Sequence, residues 1–345
     1  MKRVTIQDVA KELNLSRNTV AKALNNSNTV AYETRYVVIK KAYEMGYSKL
    51  LPVVLNEFKI KDSLEGIKTI VVLARRELST FWNRIIMGIS DELNKNNCKL
   101  QFNFISIEEE RNHILPIEMN SEVDGVIVLS VFEEEYIKRI AAYGCPIVFL
   151  DSPQQSGELL PYGDIVLFEG QESVKSMTRQ LIMQGAKSLG FIGDITYCRT
   201  IYERYQGFRM AVTLAGLTED ESLYKVGYKP NHYYNREEVQ EAIDALPYMP
   251  EGIVCANDDI AKDVILYLKE QGIRVPHDVM VTGFDNKDEM AFFTPSVTTA
   301  YISNQRVGKR LVQQLMWRIL NREMPHEVIT VGTEVVYKES SNRPK

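Results

Sequence analysis

The sequence predicts a small all-α domain joined to an α/β body of two doubly wound parallel-sheet lobes. Three observations carry this expectation. Within residues 1–47, apolar residues recur at one-face helical spacing in three short runs. From about residue 68 onward, short apolar β-rich runs alternate with helical stretches. At 345 residues, the chain also exceeds what one hydrophobic core organises.

The first helix opens at Thr5-Ile6-Gln7-Asp8, where the Thr5 hydroxyl can cap the backbone and Asp8 can reach back. Ile6, Val9, Ala10 and Leu13 then share a face. After a turn at Asn14-Leu15, Ser16 is set to cap a second helix over about 17–24. Val20, Ala23 and Leu24 form its buried stripe, and Arg17, Asn18, Ala21 and Lys22 its other face. A third helix, roughly 32–45, packs Val38, Ile39, Ala42 and Met45 and stops at Gly46. Two short helices joined by a tight turn make a helix-turn-helix, whose second helix suits the major groove. There Arg17 and Lys22 can donate to guanine, and Asn18 can pair with adenine.

In the body the expected strands are 68–74, 100–105, 124–130, 146–150, 188–193, 252–257 and 278–284. Helices are expected near 82–96, 133–143, 171–184, 203–215, 235–246, 259–271 and 303–321. Strands that are apolar throughout are covered on both faces, which argues for parallel sheets. So many units exceed one compact sheet, so two lobes with a cleft between them follow, with ligands at the carboxyl ends of strands.

Charge divides the chain in the same place. The first fifty residues hold nine Lys/Arg against four Asp/Glu, a net +5, whereas the whole chain carries −5 and the remainder therefore −10. A basic head on an acidic body concentrates phosphate attraction at one end. No run approaches the roughly 20 apolar residues of a membrane span, and MKRVTIQDVAKEL is unlike a signal peptide. A cytoplasmic, nucleoid-associated protein is expected, with no membrane partner. Cys98, Cys145, Cys198 and Cys255 lie far apart without metal-ligand spacing, and read as reduced, buried small side chains with no metal site.

TIQDVAKELNLSRNTVAKALNN followed by TVAYETRYVVIKKAYEMGY resembles the headpiece of the LacI/GalR regulators. The likeness continues through STFWNRIIMGI, SEVDGVIVLS, LIMQGAKSLGFIGD, ERYQGFR, GIVCANDDIAKDVILYLKEQGIRVPHDVMVTGFDN and PSVTTAYISNQRVGKRL. The resemblance implies a homodimeric repressor reading a pseudo-palindromic double-stranded operator. It also implies a periplasmic-binding-protein-like type I core that takes a small-molecule effector, expected to be a sugar or sugar derivative. No cofactor is implied. Domain limits follow as a headpiece at 1–47, a linker at 48–66 and an effector and dimerisation domain at 67–340. Its N-lobe is expected at about 67–168 and 298–325, its C-lobe at about 169–297 and 326–340.

Carried over by position, base reading falls to Arg17, Asn18 and Lys22, and backbone anchoring to Thr5, Ser16, Thr19, Asn25 and Thr34. Arg204 in ERYQGFR, Asn257 in CAND and Asp285 in GFDN match polar ligand contacts, while Phe81 and Trp82 match a stacking pair. Asp258 reads as a helix cap. Ala21 and Ala31 stand where the family commonly has serine. After the first strand the family's aspartate gives way to Ala74-Arg75-Arg76-Glu77, and valine-Asp-Asn at the crossover becomes Phe168-Glu169-Gly170. Arg75 and Arg76 would bring positive charge toward the cleft or form a solvated pair. In the linker SKLLPVVLNEFKIKDSLEG, Pro52 could start a short helix over 53–58 with Leu55 as a minor-groove wedge. The alternative function is a cytoplasmic solute-binding protein or sugar-acting enzyme on the same core. Against an enzyme, the chain lacks GxGxxG, GxxxxGK[ST] and GxSxG, and His113, His232, His277 and His326 lie apart.

Overall fold

The computed structural model describes residues 4–25, 27, 29–47, 68–75, 80–120, 123–154, 159–227, 235–287, 290 and 292–343. The head and the body are separate compact units and are described in turn.

The head consists of α1 (Ile6–Glu12), α2 (Arg17–Leu24) and α3 (Tyr32–Glu44). Thr5 and Asp8 complete a capping box on α1, and the Ser16 hydroxyl accepts the Thr19 N–H at 3.0 Å to start α2. The N-terminus of α3, at Ala31, has no side-chain cap, as the missing serine implies. Gly46, at φ 77°, takes the left-handed conformation just beyond α3. Val9, Ala10, Val20, Ala23, Leu24, Val38, Ile39 and Ala42 meet in one buried cluster that fixes the three helices. The proposed hinge over 53–58, with Leu55, lies outside the described residues.

The first lobe runs β1 (Thr69–Arg75), α4 (Thr80–Lys95), β2 (Lys99–Ile105), α5 (Ile107–Arg111), β3 (Gly125–Val128), α6 (Glu134–Ala141), β4 (Ile147–Leu150) and β5 (Asp164–Phe168). The second runs α7 (Gln171–Met183), β6 (Leu189–Ile192), α8 (Arg199–Leu214), β7 (Tyr224–Lys225), α9 (Arg236–Asp244), β8 (Gly252–Cys255), α10 (Asp258–Glu270) and β9 (Met280–Thr282). Then follow β10 (Thr299–Tyr301), α11 (Asn304–Leu320), β11 (Val328–Val331) and β12 (Glu334–Val336).

The first sheet has the order β11-β5-β4-β3-β1-β2 and the second β7-β6-β8-β9, both parallel. β3, β4, β6 and β8 are buried at every residue, which is why they read as unbroken apolar runs. Val126, Val128, Phe149 and Leu167 pack under Tyr136, Ile137 and Ile140 of α6. In the second lobe Phe191, Tyr205, Phe208 and Tyr224 form an aromatic cluster, with Phe191 and Tyr205 centroids 5.2 Å apart.

The returning segments cross later than 298–325 and 326–340 would have them. Thr298 and Tyr301 bridge to Thr282 and Asp285 beside the second sheet, whereas β11 pairs with β5 in the first. Val328–Val331 therefore belongs to the N-lobe. Its neighbour β5, unmarked in the sequence reading, begins with a fully buried Asp164. The Arg318 guanidinium grips that carboxylate twice, Nη2 to Oδ1 at 2.6 Å and Nε to Oδ2 at 3.0 Å, and also donates to the carbonyls of Asn321, Met324 and Pro325. Burial works against the charged carboxylate, but Arg318, Gln314 and the Glu327 N–H outweigh it and hold its pKa down. No disulfide joins the cysteines, and Cys145 is half-buried where burial was expected.

Candidate functional site

In the head, burying Val20, Ala23 and Leu24 turns the opposite side of α2 outward, so Arg17, Asn18 and Lys22 are exposed on one short helix. Ser16 and Thr19 sit at its start and share a hydroxyl contact of 2.8 Å. The Thr5 hydroxyl donates to Asp8 at 2.6 Å, so both cap hydroxyls serve the helix ends locally. Asn25 is exposed just past α2, and Thr34 is half-buried in α3. Exposed cationic and amide side chains beside the positive end of a helix form a surface suited to phosphates and base edges.

In the body, the polar residues gather beyond the carboxyl ends of β6, β8 and β9. Arg204, on α8, is 5% exposed. Its Nη1 donates to the Ala256 carbonyl at 2.7 Å, its guanidinium lies 3.6 Å above the Phe284 ring centroid, and its Nη2 faces Asp285 Oδ1 at 3.6 Å. A Cβ on Gly170 would lie 2.8 Å from Arg204 Cγ, so the glycine at the crossover is what admits the arginine stem.

Asp285 is buried at φ 106°, a conformation that costs energy in a residue with a side chain. Burial pushes its pKa up to about 6, against the pull of Arg204 and Lys287. Asp258 is pushed up to about 7 by burial and by the neighbouring Asp285. It is not the cap of α10. Asn257 is, its Oδ1 accepting the Ile260 N–H at 2.9 Å, while Asp258 accepts Thr299 Oγ1 at 2.7 Å and the Lys287 N–H at 2.9 Å. Asn257 thus has its carboxamide oxygen engaged in the helix start.

Phe81 is buried, in edge contact with Trp82 at 5.2 Å and with Phe168 at 6.0 Å. Trp82 is half-buried. Arg75 is engaged within its own lobe. Its guanidinium is tied to the buried Glu110 at 2.6 Å and to the Val131 carbonyl at 3.1 Å, 5.1 Å over the Phe132 ring. Glu169 is likewise engaged, accepting from Ser173 Oγ at 2.9 Å and from the Glu172 N–H to start α7. Arg76 lies outside the described residues.

The sequence reading missed two aspartates. Asp151 follows β4 at φ 68°, and its carboxylate takes Thr200 Oγ1 and, at 3.3 Å, the Thr200 N–H at the start of α8. With Arg199 N–H on the Ser152 carbonyl at 2.8 Å, this joins the two lobes directly. Asp194 follows β6, and its Oδ1 accepts Thr196 Oγ1 at 2.7 Å. An acid just beyond an apolar run is the signal that could have flagged each.

A profile described as "Bacterial regulatory proteins, lacI family" matches residues 5–49, and one described as "Periplasmic binding protein-like domain" matches 178–341. The chain is 27% identical over 340 residues to the HTH-type transcriptional repressor PurR of Mannheimia succiniciproducens, covering 97% of this chain and 98% of that one. Among solved structures, the transcriptional regulator CelR in complex with cellobiose aligns at TM-score 0.69 and 22% identity, over 98% of this chain and 100% of that one. The lac repressor dimer bound to operator and the anti-inducer ONPF aligns at 0.66 and 17%, over 99% and 100%.

Proposed function

Because the chain belongs to the LacI family, joining its helix-turn-helix domain to a two-lobed periplasmic-binding-protein-like domain, we propose that it is a transcriptional repressor controlled by a small effector. In this reading two heads of a homodimer bind a pseudo-palindromic operator, and α2 enters the major groove. Arg17, Asn18 and Lys22 contact bases, while Thr5, Ser16, Thr19, Asn25 and Thr34 anchor the backbone. The observation that carries it is the exposure of Arg17, Asn18 and Lys22 together on the face of α2 opposite its buried stripe.

The effector binds between the lobes, where Arg204 and Asp285 supply polar contacts, Asn257 frames the pocket and Trp82 beside Phe81 supplies an aromatic wall. A sugar fits this combination of guanidinium, carboxylate and indole. A nucleobase is the second reading, favoured by the flat, half-buried indole of Trp82. Ligand closing the cleft would alter the relation of the lobes and thereby operator affinity.

Binding of the full chain to a genomic duplex pool, followed across a salt series, tests the DNA reading. Retention should fall steeply with salt, log K against log salt having a slope of about −0.9 per neutralised phosphate. Salt-insensitive behaviour, or no retention with or without candidate metabolites, would refute it. Thermal shifts with ribose, cellobiose, adenine and hypoxanthine separate the two effector classes, since ligand bound to the folded cleft raises apparent stability.

A further inference from the structure

Two buried polar side-chain atoms without hydrogen-bond partners stand near each other in the chain, Asp194 Oδ2 and Arg204 Nε. Asp194 is 6% exposed. It follows β6 by two residues, and β6 lies against β8 where the strand order β7-β6-β8-β9 reverses, the crevice in which doubly wound sheets take ligands. Register sets this stretch level with Ala256 and Asn257, because the Ala256 N–H bonds the Ile192 carbonyl at 2.9 Å. The Ala256 carbonyl, in turn, holds Arg204.

Arg204 Nε lies beside Gly170 at the crossover, where the absent side chain gives its space to the arginine stem. A buried carboxylate oxygen left unsatisfied is costly, and a ligand that brings a donor to Asp194 Oδ2 relieves it.

Charge narrows the ligand further. Asp194 and Asp285 follow β6 and β9, and Asp151 of the other lobe reaches the start of α8, against Arg204 alone, since Lys287 Nζ is already paired with Asp259. Arg75, on the other lobe, is neutralised by Glu110. A phosphorylated or carboxylated ligand would therefore meet a surplus of carboxylates.

We infer that Asp194 is a polar contact of the effector pocket and that the effector is a donor-bearing sugar without negative charge, an amino sugar in class. The inference rests on reading the cleft as a carbohydrate site. Isothermal titration of the full chain with glucosamine, glucose, glucose 6-phosphate and glucuronate tests it. Glucosamine should bind about tenfold tighter than glucose, and both anions more weakly than glucose. Asp194→Asn should bring glucosamine and glucose to within about twofold of each other. An anion that binds as well as glucose overturns the inference without the variant, and so does a glucosamine preference that survives Asp194→Asn. Absence of binding by all four overturns the carbohydrate reading as well. Glucose that binds with no regard to amine or phosphate overturns the inference alone.

Discussion

Arg204 shows how much of a binding side chain is settled before any ligand arrives. Its fork is held by a carbonyl, a ring and a carboxylate, leaving Nε as the unsatisfied donor. Lysine keeps the charge but has neither the fork nor the secondary nitrogen, so Arg204→Lys should weaken effector binding by about tenfold or more in titration calorimetry. Unchanged affinity would mean that the guanidinium serves packing alone. On the head, Lys22→Ala should relax base preference at one operator position by about 1–3 kcal/mol, read from binding to a set of single-base operator variants. Selectivity equal to wild type would displace α2 from the reading role. Arg204 and Lys22 could be named from sequence because they lie in contiguous motifs. Asp151 and Asp194 lie in no such motif: the sequence marks them only as acids just beyond apolar runs, and their backbone strain and orphaned oxygen arise from neighbours far along the chain.

At the level of elements, the helices and buried strands were legible because their periodicity is written locally. β5 and β11 were not. β11 is a half-exposed edge strand of only four residues, and β5 opens with an aspartate whose neutralising partner, Arg318, stands on another element 154 positions away. That pair fastens β5 to α11 and to the turn leading into β11. Replacing Arg318 with methionine leaves Asp164 charged and buried, and should cost about 3–5 kcal/mol in urea unfolding. Adding Asp164→Asn should recover part of the loss, since the uncompensated charge is then gone. A double variant no more stable than Arg318→Met would show that the guanidinium's carbonyl contacts, not its charge, matter most.

Across the whole molecule, acidity and stability are linked through Asp258 and Asp285. Their folded pKa values, about 7 and about 6, stand above the ordinary 3.8, so between those limits the folded chain holds protons that the unfolded chain has released. Their contribution to stability is complete below the ordinary carboxylate range and is lost as pH rises toward 7. The melting temperature of the body should therefore decline from pH 5 to pH 8, and Asp258→Asn should flatten that decline. A profile of the same slope in the variant would assign the dependence to other groups.

The late return of β11 has a consequence for shortened versions of the protein. β5 is buried at every residue and receives one row of backbone partners from Val328–Val331. A stop introduced after Pro325 would strip that row away and leave Asp-Ile-Val-Leu-Phe as a bare, sticky margin. Such a truncated product should form thioflavin-positive fibrils or precipitate during expression, even though every residue assigned to DNA or effector would still be in the chain.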